Sequence, residues 1–521
     1  MLLRLQKNIM FAMVLTEIRD YKSNSFGAYG KSTSPVFESL PELGFAQPAD
    51  KSIEGKSDET RSIGYVFRMK YDYDDKYLAE FTGRYDGSYK FSGNVGGKRW
   101  GFFPSLSVGW RMSGEDFMKN ISCIDNFKIR GSVGMLGNDG VPAYSYLNTY
   151  DFRTNSTSIG GNLVNSIYTT GYANPNLSWE RTLSYNGGFD LTLWKGLLGV
   201  EFDAFYNYTY DILTAMGSNY APSMGGYYPS YENYKRMDTK GIEVTLTHRN
   251  HVGTGKNTFN FGSSLNFTFA KSRWLRYPDS PNTPDYAKLT GKAVGTLFGW
   301  VADGLYQTEA EIKNSAWPFG EKPRTGDIKY VDLNGDGIID YQDKAFVGKS
   351  NKPELVAGLN LFGDWRGFDF NVQFTGAADC QVSMTGTYYN GYDDNTIYTK
   401  TFNGGANSPA YLVENAWRPD NTSGTYPRLT VNDPHNNNGL ASTFWFRDGK
   451  YIRMKSAQIG YTLPATLMKK VGITKTRIYV QGSNLFTLSG LPQGIDPESP
   501  SVNNGYYPQQ KTFMTGITLT F

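Results

Sequence analysis

Strict two-residue periodicity constrains this chain more than any other feature. Val200, Phe202, Ala204, Tyr206, Tyr208 and Tyr210 fall on one face of an extended segment, and Glu201, Asp203, Asn207, Thr209 and Asp211 on the other, with Phe205 as the exception. The pattern recurs where Phe259, Phe261, Leu265, Phe267 and Phe269 oppose Asn260, Gly262, Ser264, Asn266 and Thr268. It closes the chain, where Phe513, Thr515, Ile517, Leu519 and Phe521 alternate with Met514, Gly516, Thr518 and Thr520. Helices place apolar residues three and four apart, so these segments read as strands whose two faces differ chemically.

Soluble sheets alternate as well, so connection lengths must separate a surface sheet from a membrane wall. Strands read at 65–73 and 77–86 join through Asp74-Asp75, those at 182–194 and 198–212 through Lys195-Gly196, and those at 354–364 and 368–379 through Trp365-Arg366-Gly367. Between these hairpins lie long polar connections at 137–177, 213–238, 271–353, 380–443 and 488–511. Short turns alternating with long loops are the pattern of an antiparallel transmembrane β-barrel of the outer membrane, and about 14 strands are expected. The alternation argues against a soluble sandwich or propeller. A phase change near Lys455 and Ser456 predicts a bulge in the strand at 451–463, and one short helical turn is expected at Glu309 to Lys313.

Composition agrees. Aromatics make up 15% of the chain and mean hydropathy is -0.47, and the sequence contains no run of about 18 or more apolar residues, so a spanning helix is excluded while barrel strands are not. The 52 basic and 49 acidic residues are mixed without a basic stripe, which speaks against nucleic acid as a partner. Cys123 and Cys380 are the only cysteines and are expected to stay unpaired. Arg4, Lys7 and the apolar run Ile9 to Leu15 imitate a signal peptide poorly, because Glu17, Arg19 and Asp20 follow without a small-residue cleavage site. The segment reads as a strand.

Several stretches resemble signatures of the SusC/RagA branch of TonB-dependent transporters and occur in that family's order. They are Arg84-Tyr-Asp-Gly-Ser88, Trp100-Gly-Phe-Phe-Pro-Ser105 with Gly109-Trp110-Arg111, Asn174-Pro-Asn-Leu-Ser-Trp-Glu180 and Lys240-Gly-Ile-Glu243. Gly326-Asp-Ile-Lys-Tyr330, Arg447-Asp-Gly-Lys-Tyr451 with Gly460-Tyr-Thr-Leu-Pro464, and Gly482-Ser-Asn-Leu-Phe486 before Asp496-Pro-Glu-Ser499 follow. The resemblance implies a 22-stranded barrel with a plug and a TonB box, importing glycans or peptides beneath a SusD-like surface lipoprotein. Residues 1–521 then correspond to the C-terminal portion of such a barrel, with no plug domain among them. A surface barrel that binds ligand without translocating it, or an inactive remnant, is the alternative.

The sharpest local motif lies in the long loop 271–353. Asp332, Asn334, Asp336, the Ile338 carbonyl and Asp343 have the spacing of a calcium loop of the EF-hand or dockerin kind, with Gly337 at the sharp turn. Asp343 departs from the Glu of a true EF-hand, and an Asp/Gly-rich solvated turn explains the same residues. Tyr227, Tyr228, Tyr231, Tyr388, Tyr389 and Tyr392 offer aromatic faces on which a sugar or peptide group can stack, or pack their loops instead. Phe521 resembles the terminal aromatic read by the barrel-assembly machinery. No catalytic constellation is found: His248, His251 and His435 are scattered, and no nucleophile elbow occurs.

Overall fold

In a computed structural model of the protein, the described residues are 2–5, 7–30, 43, 51–94, 98–169, 172–216, 220–225, 228–385, 410–468, 472–492, 495–499 and 509–521. Sixteen strands form one sheet. Two are short, Leu2–Leu5 and Thr487–Ser489. The other fourteen are β1 (Asn8–Gly30), β2 (Lys51–Tyr73), β3 (Tyr77–Ser88), β4 (Trp100–Arg111), β5 (Ile124–Asn138), β6 (Glu180–Leu193) and β7 (Leu198–Thr214), then β8 (Glu232–Val252), β9 (Phe259–Arg276), β10 (Leu355–Trp365), β11 (Phe368–Ala378), β12 (Tyr451–Thr462), β13 (Lys475–Ser483) and β14 (Thr512–Thr520). They follow one another in chain order across the sheet, as sequential hairpins require.

The tight turns have the backbone their residues permit. Asp74 and Asp75 both have positive φ (54° and 55°), as do Arg366 and Gly367 (48° and 89°). These are the mirror-image turns whose twist matches paired strands.

The chain forms two compact units. One comprises Met1–Val108, Ser132–Leu183 and Thr209–Tyr234, and the other Gly109–Gly131, Ser184–Tyr208 and Lys235–Phe521. In the first, β2 and β3 pair with Met69 opposite Phe81 and Arg68 opposite Thr82. Tyr65, Met69, Tyr71 and Tyr73 therefore share an exposed face with Tyr77, Phe81 and Tyr85, and Val14 and Ile18 extend it on β1. The reverse face is ionic: Arg68 pairs with Glu80 (2.7 Å), and Arg84 bridges Glu17 (3.0 Å) and Asp86 (2.8 Å). Strand β1 runs to Gly30, where polar pairs continue the ladder, including Lys22 with Glu59 at 3.3 Å. Phe91, Phe103, Val141, Leu177 and Trp179 make a separate buried cluster. The connection expected at 137–177 contains a hairpin, Tyr150–Ile159 with Asn162–Thr169.

The second unit repeats the two-faced wall. Ile459, Ile478, Val480 and Ile517 are exposed on one face, and the other carries Arg477 bound to Asp369 (2.8 Å) and Arg130 bound to Asp190 (3.1 Å) and to Asp203. Phe205, the residue that broke the alternation, lies over Gly241, where any Cβ would meet its ring at 2.7 Å. The expected bulge is present: Gln373 faces Ser456 and Phe374 faces Met454, so Lys455 has no opposite number. Its ammonium instead reaches Glu498 at 2.9 Å.

The segment 271–353, read from the sequence as a long polar connection, has structure of its own. It folds with residues beyond 380 into short strand pairs, Thr296–Trp300 with Lys344–Ser350, Ala302–Leu305 with Ile328–Tyr330, Trp317–Pro318 with Ile338–Ile339, and Gln381–Ser383 with Phe446–Asp448. The expected helical turn, α1 (Glu309–Lys313), is present and capped by Thr308, which accepts from the Glu311 N–H. Trp300, Ile328, Tyr330, Ile339, Met384, Leu412 and Trp445 form the core of this loop body.

Candidate functional site

Buried polar contacts fix the loop body around its core. The Trp300 indole donates to the Asp340 carbonyl (2.8 Å), the Trp445 indole to the Asn438 carbonyl (2.8 Å) and the Tyr330 hydroxyl to the Asn437 carbonyl (2.5 Å). The Ile328 N–H donates to Asn438 Oδ1 at 2.8 Å. Each bond prevents an orphaned polar group in an aromatic core, and together they hold two turns on its surface.

The first turn is the calcium-type motif. Asp332 accepts the N–H groups of Gly335 (2.7 Å) and Gly337 (2.9 Å), and Asp336 accepts that of Ile338 (2.9 Å). Asn334 Oδ1 accepts the Asp336 N–H and its Nδ2 donates to Asp336 Oδ2. Asp343 is completely buried and accepts from Leu333 (2.7 Å), Asn334 (3.3 Å) and Asp340 (2.8 Å). Asn334, Asp336 and Ile338 are thus linked to one another and Asn334 to Asp343, with Gly335 and Gly337 at φ 76° and 88°. The turn holds its shape through its own hydrogen bonds. Among the described residues no group of three or more His, Cys, Asp or Glu side chains is placed to hold a metal ion.

The second turn, Asp433 to Asn438, was not anticipated. His435 and Asn436 both have positive φ (55° and 54°), and the His435 ring lies against Phe319 at 4.7 Å. Beside it opens a cavity of about 140 Å³ whose polar wall is Glu321, Lys322, Arg324, Asp327, Asn432, Asp433 and Asn437. Asn438 donates through Nδ2 to both Asp327 (2.9 Å) and Asp433 (3.3 Å), and through its N–H to Asp433 (2.9 Å). Burial, helped by the nearby Asp327 charge, pushes the Asp433 carboxyl up to about 6. The available signals were Gly326-Asp-Ile-Lys-Tyr330, noted only as a signature, and the polar run Asn432-Asp-Pro-His-Asn-Asn-Asn438.

The predicted tyrosines divide. Tyr228 stacks on Tyr220 with centroids 5.0 Å apart and planes 5° apart. Burial and then Glu232, which accepts from the Tyr220 hydroxyl, push that phenol up to about 12. Tyr231 packs against the Phe91 and Leu177 cluster, and its carbonyl accepts from Asn174 (2.9 Å), so its ring is largely committed to structure. Tyr227, Tyr388, Tyr389 and Tyr392 lie outside the described residues. Phe521 follows β14 and is 84% exposed. Both cysteines are unpaired.

No helix among the described residues is long and apolar enough to cross a membrane. Strands with an apolar outer face and a charged, internally paired face do cross. The protein is therefore an outer-membrane β-barrel protein. Residues 13–413 match the family described as TonB dependent receptor-like, beta-barrel, and the chain belongs to that family. It is 30% identical over 490 residues to TonB-dependent receptor P3 of Formosa agariphila, covering 89% of this chain and 46% of that protein. It is 25% identical over 478 residues to TonB-dependent receptor SusC of Bacteroides thetaiotaomicron, covering 88% of this chain and 44% of that one. The RagAB peptide transporter has the same fold, with a TM-score of 0.75 at 20% identity over 99% of this chain and 54% of that chain. The chain spans about half the length of these relatives.

Proposed function

We propose that this chain is the barrel part of a SusC-like importer that moves glycans or peptides across the outer membrane. A SusD-like surface lipoprotein is its partner at the loop rim. The TonB complex supplies energy where a plug-bearing N-terminal region is joined to it. The observation that carries this reading is the division of labour along the sheet. Tight turns such as Arg366-Gly367 join neighbouring strands, and the long connections after β9 and β11 build a folded body with its own core. RagAB, described as a peptide transporter, makes peptides the first ligands to test. Tyr228, with its ring already stacked, is the better placed of the described loop tyrosines for a ligand.

Uptake tests the proposal. Fluorescent oligopeptides and oligosaccharides are supplied to cells that make the protein and to a deletion strain. Accumulation of one class only in the producing cells, abolished by a protonophore, is expected. Surface binding without accumulation points to the non-translocating alternative, and equal accumulation in both strains overturns the importer reading.

The turn at Asp332, Asn334, Asp336, Ile338 and Asp343 enters the proposal as a Ca²⁺ site that staples the loop body. A carboxylate oxygen that accepts one N–H keeps a lone pair for a hard cation. Calorimetry on the whole chain is expected to show Ca²⁺ binding that Asp332→Ala removes. Silence in the unmutated protein retires the site.

A further inference from the structure

The cavity beside Asp433 has an imbalance between what its wall can donate and what it can accept. Its two cationic side chains each hold partners other than Asp433. Lys322 Nζ donates to Glu309 (2.9 Å). Arg324 donates to the Asn432 carbonyl (2.5 Å) and to Thr430 Oγ1 (3.3 Å), and its Nε lies 3.6 Å from Asp327. Pro318, Pro323 and Pro434 also line the cavity and bring no N–H at all. The Asn437 amide spends its N–H on the Ile328 carbonyl (3.3 Å).

The acceptors are in surplus. Asp433 accepts the N–H and Nδ2 of Asn438, a residue it shares with Asp327, and the backbone N–H of Asn437, and its two carboxylate oxygens still keep lone pairs. Among the described residues no cation stands within ion-pairing distance of Asp433. Asn437, 5% exposed, has its Oδ1 buried without a hydrogen-bond partner. Glu321 adds a third carboxylate at the mouth. A wall of this kind repels anions and gains little from a neutral acceptor. It gains most from a group that brings several donors and a positive charge at once. A metal ion is the poorer occupant, since about 140 Å³ exceeds what a single ion fills.

We propose that this cavity, through Asp433 with Asp327, Asn437 and Glu321, binds a primary ammonium group on a small organic ligand. The α-amino end of a peptide and the amine of an amino sugar share that chemistry. The inference concerns the loop body alone and stands whether or not the barrel translocates anything.

Saturation-transfer difference NMR on the whole chain, folded in detergent, suits a weak site. Glycinamide and glucosamine are compared with N-acetylglycinamide and N-acetylglucosamine, which keep the shape but lose the charge. Transfer to either free amine, with at least a tenfold weaker signal for its acetyl form, is expected, and which amine responds identifies the source. Asp433→Asn, isosteric and uncharged, is expected to lower the signal by a similar factor while gel mobility still reports a folded barrel. Should that variant fail to fold, the wild type at pH 7.5 and pH 5 gives the same information. Protonation of Asp433 below about 6 removes the counter-charge, so binding fades at pH 5. The charged groups facing Asp433 are Asp327, Arg324, Glu321 and Lys322. His435 on the same turn is controlled by His435→Asn, which tolerates the left-handed backbone and is expected to leave the pH effect intact. Equal signals from free and acetylated ligands, no signal from any amine, or a pH effect that disappears with His435→Asn would each overturn the assignment.

Discussion

Asp433 and Asp343 show how differently a carboxylate fares inside the same loop body. Asp343 is fully buried and takes three backbone N–H groups, so its charge organises the turn around it. Asp343→Ala leaves those donors unpaired, and a loss of about 3 kcal/mol in local stability is expected. Faster proteolytic cleavage between residues 330 and 345 would report it. Asp433, partly buried with Asp327 nearby, has its carboxyl pushed up to about 6, above the roughly 3.9 of an unfolded Asp. The folded state then holds the proton more tightly than the unfolded one. The group costs nothing below about pH 4, and its penalty grows as pH rises through 6. Raising the pH from 4 to 7.5 is accordingly expected to cost the ligand-free protein about 1–2 kcal/mol through this group, after allowance for solvent screening, a dependence that Asp433→Asn removes. Thermal unfolding of both proteins at the two pH values reads the difference.

At the scale of elements, the hairpin between β10 and β11 depends on Gly367. Its φ of 89° excludes β-branched side chains, and a Cβ there would sit 2.8 Å from the Thr462 carbonyl. Gly367→Val is expected to reduce the yield of folded barrel more than Gly367→Asn does, measured as the heat-modifiable fraction on gels. Arg453 on β12 is a second lever. Its side chain is 4% exposed and pairs with Asp496 (2.7 Å) and Glu498 (2.8 Å), tying the Asp496-Pro-Glu-Ser499 segment to the wall. Arg453→Ala leaves two partly buried carboxylates and is expected to cost about 3 kcal/mol, measured by urea unfolding. These wall elements were legible in the sequence because side-chain period and turn chemistry are local signals: the strand ends at Tyr73, Tyr77 and Leu198, the helical turn at Glu309 and the bulge at Lys455 all followed from neighbours. The loop body was not. Ile328 meets Asn438, and Gln381 meets Asp448, across separations that no periodicity window spans. The calcium-type spacing located one turn of that body, whereas the Asp433 cavity is assembled from two distant stretches and left no contiguous pattern.

Across the whole molecule, the face that a side chain occupies decides what it may be. Ile459 is 65% exposed on the apolar face, whereas Asn371 pairs with Gln458 on the polar one. Ile459→Arg is expected to cost about 2–4 kcal/mol in lipid, and Asn371→Arg to be tolerated, as urea titrations of the heat-modifiable band can show. The turns at Asp74-Asp75 and Arg366-Gly367 are as short as a hairpin allows, and each demands left-handed backbone. Neither turn has spare chain in which a residue could be added without breaking the strand pair it closes. Variation that such a turn forbids can instead be absorbed by the loop body built from 271–353 and the residues beyond 380, because that body has a core of its own and can be rebuilt while the strand pairs of β9 to β12 stay the same.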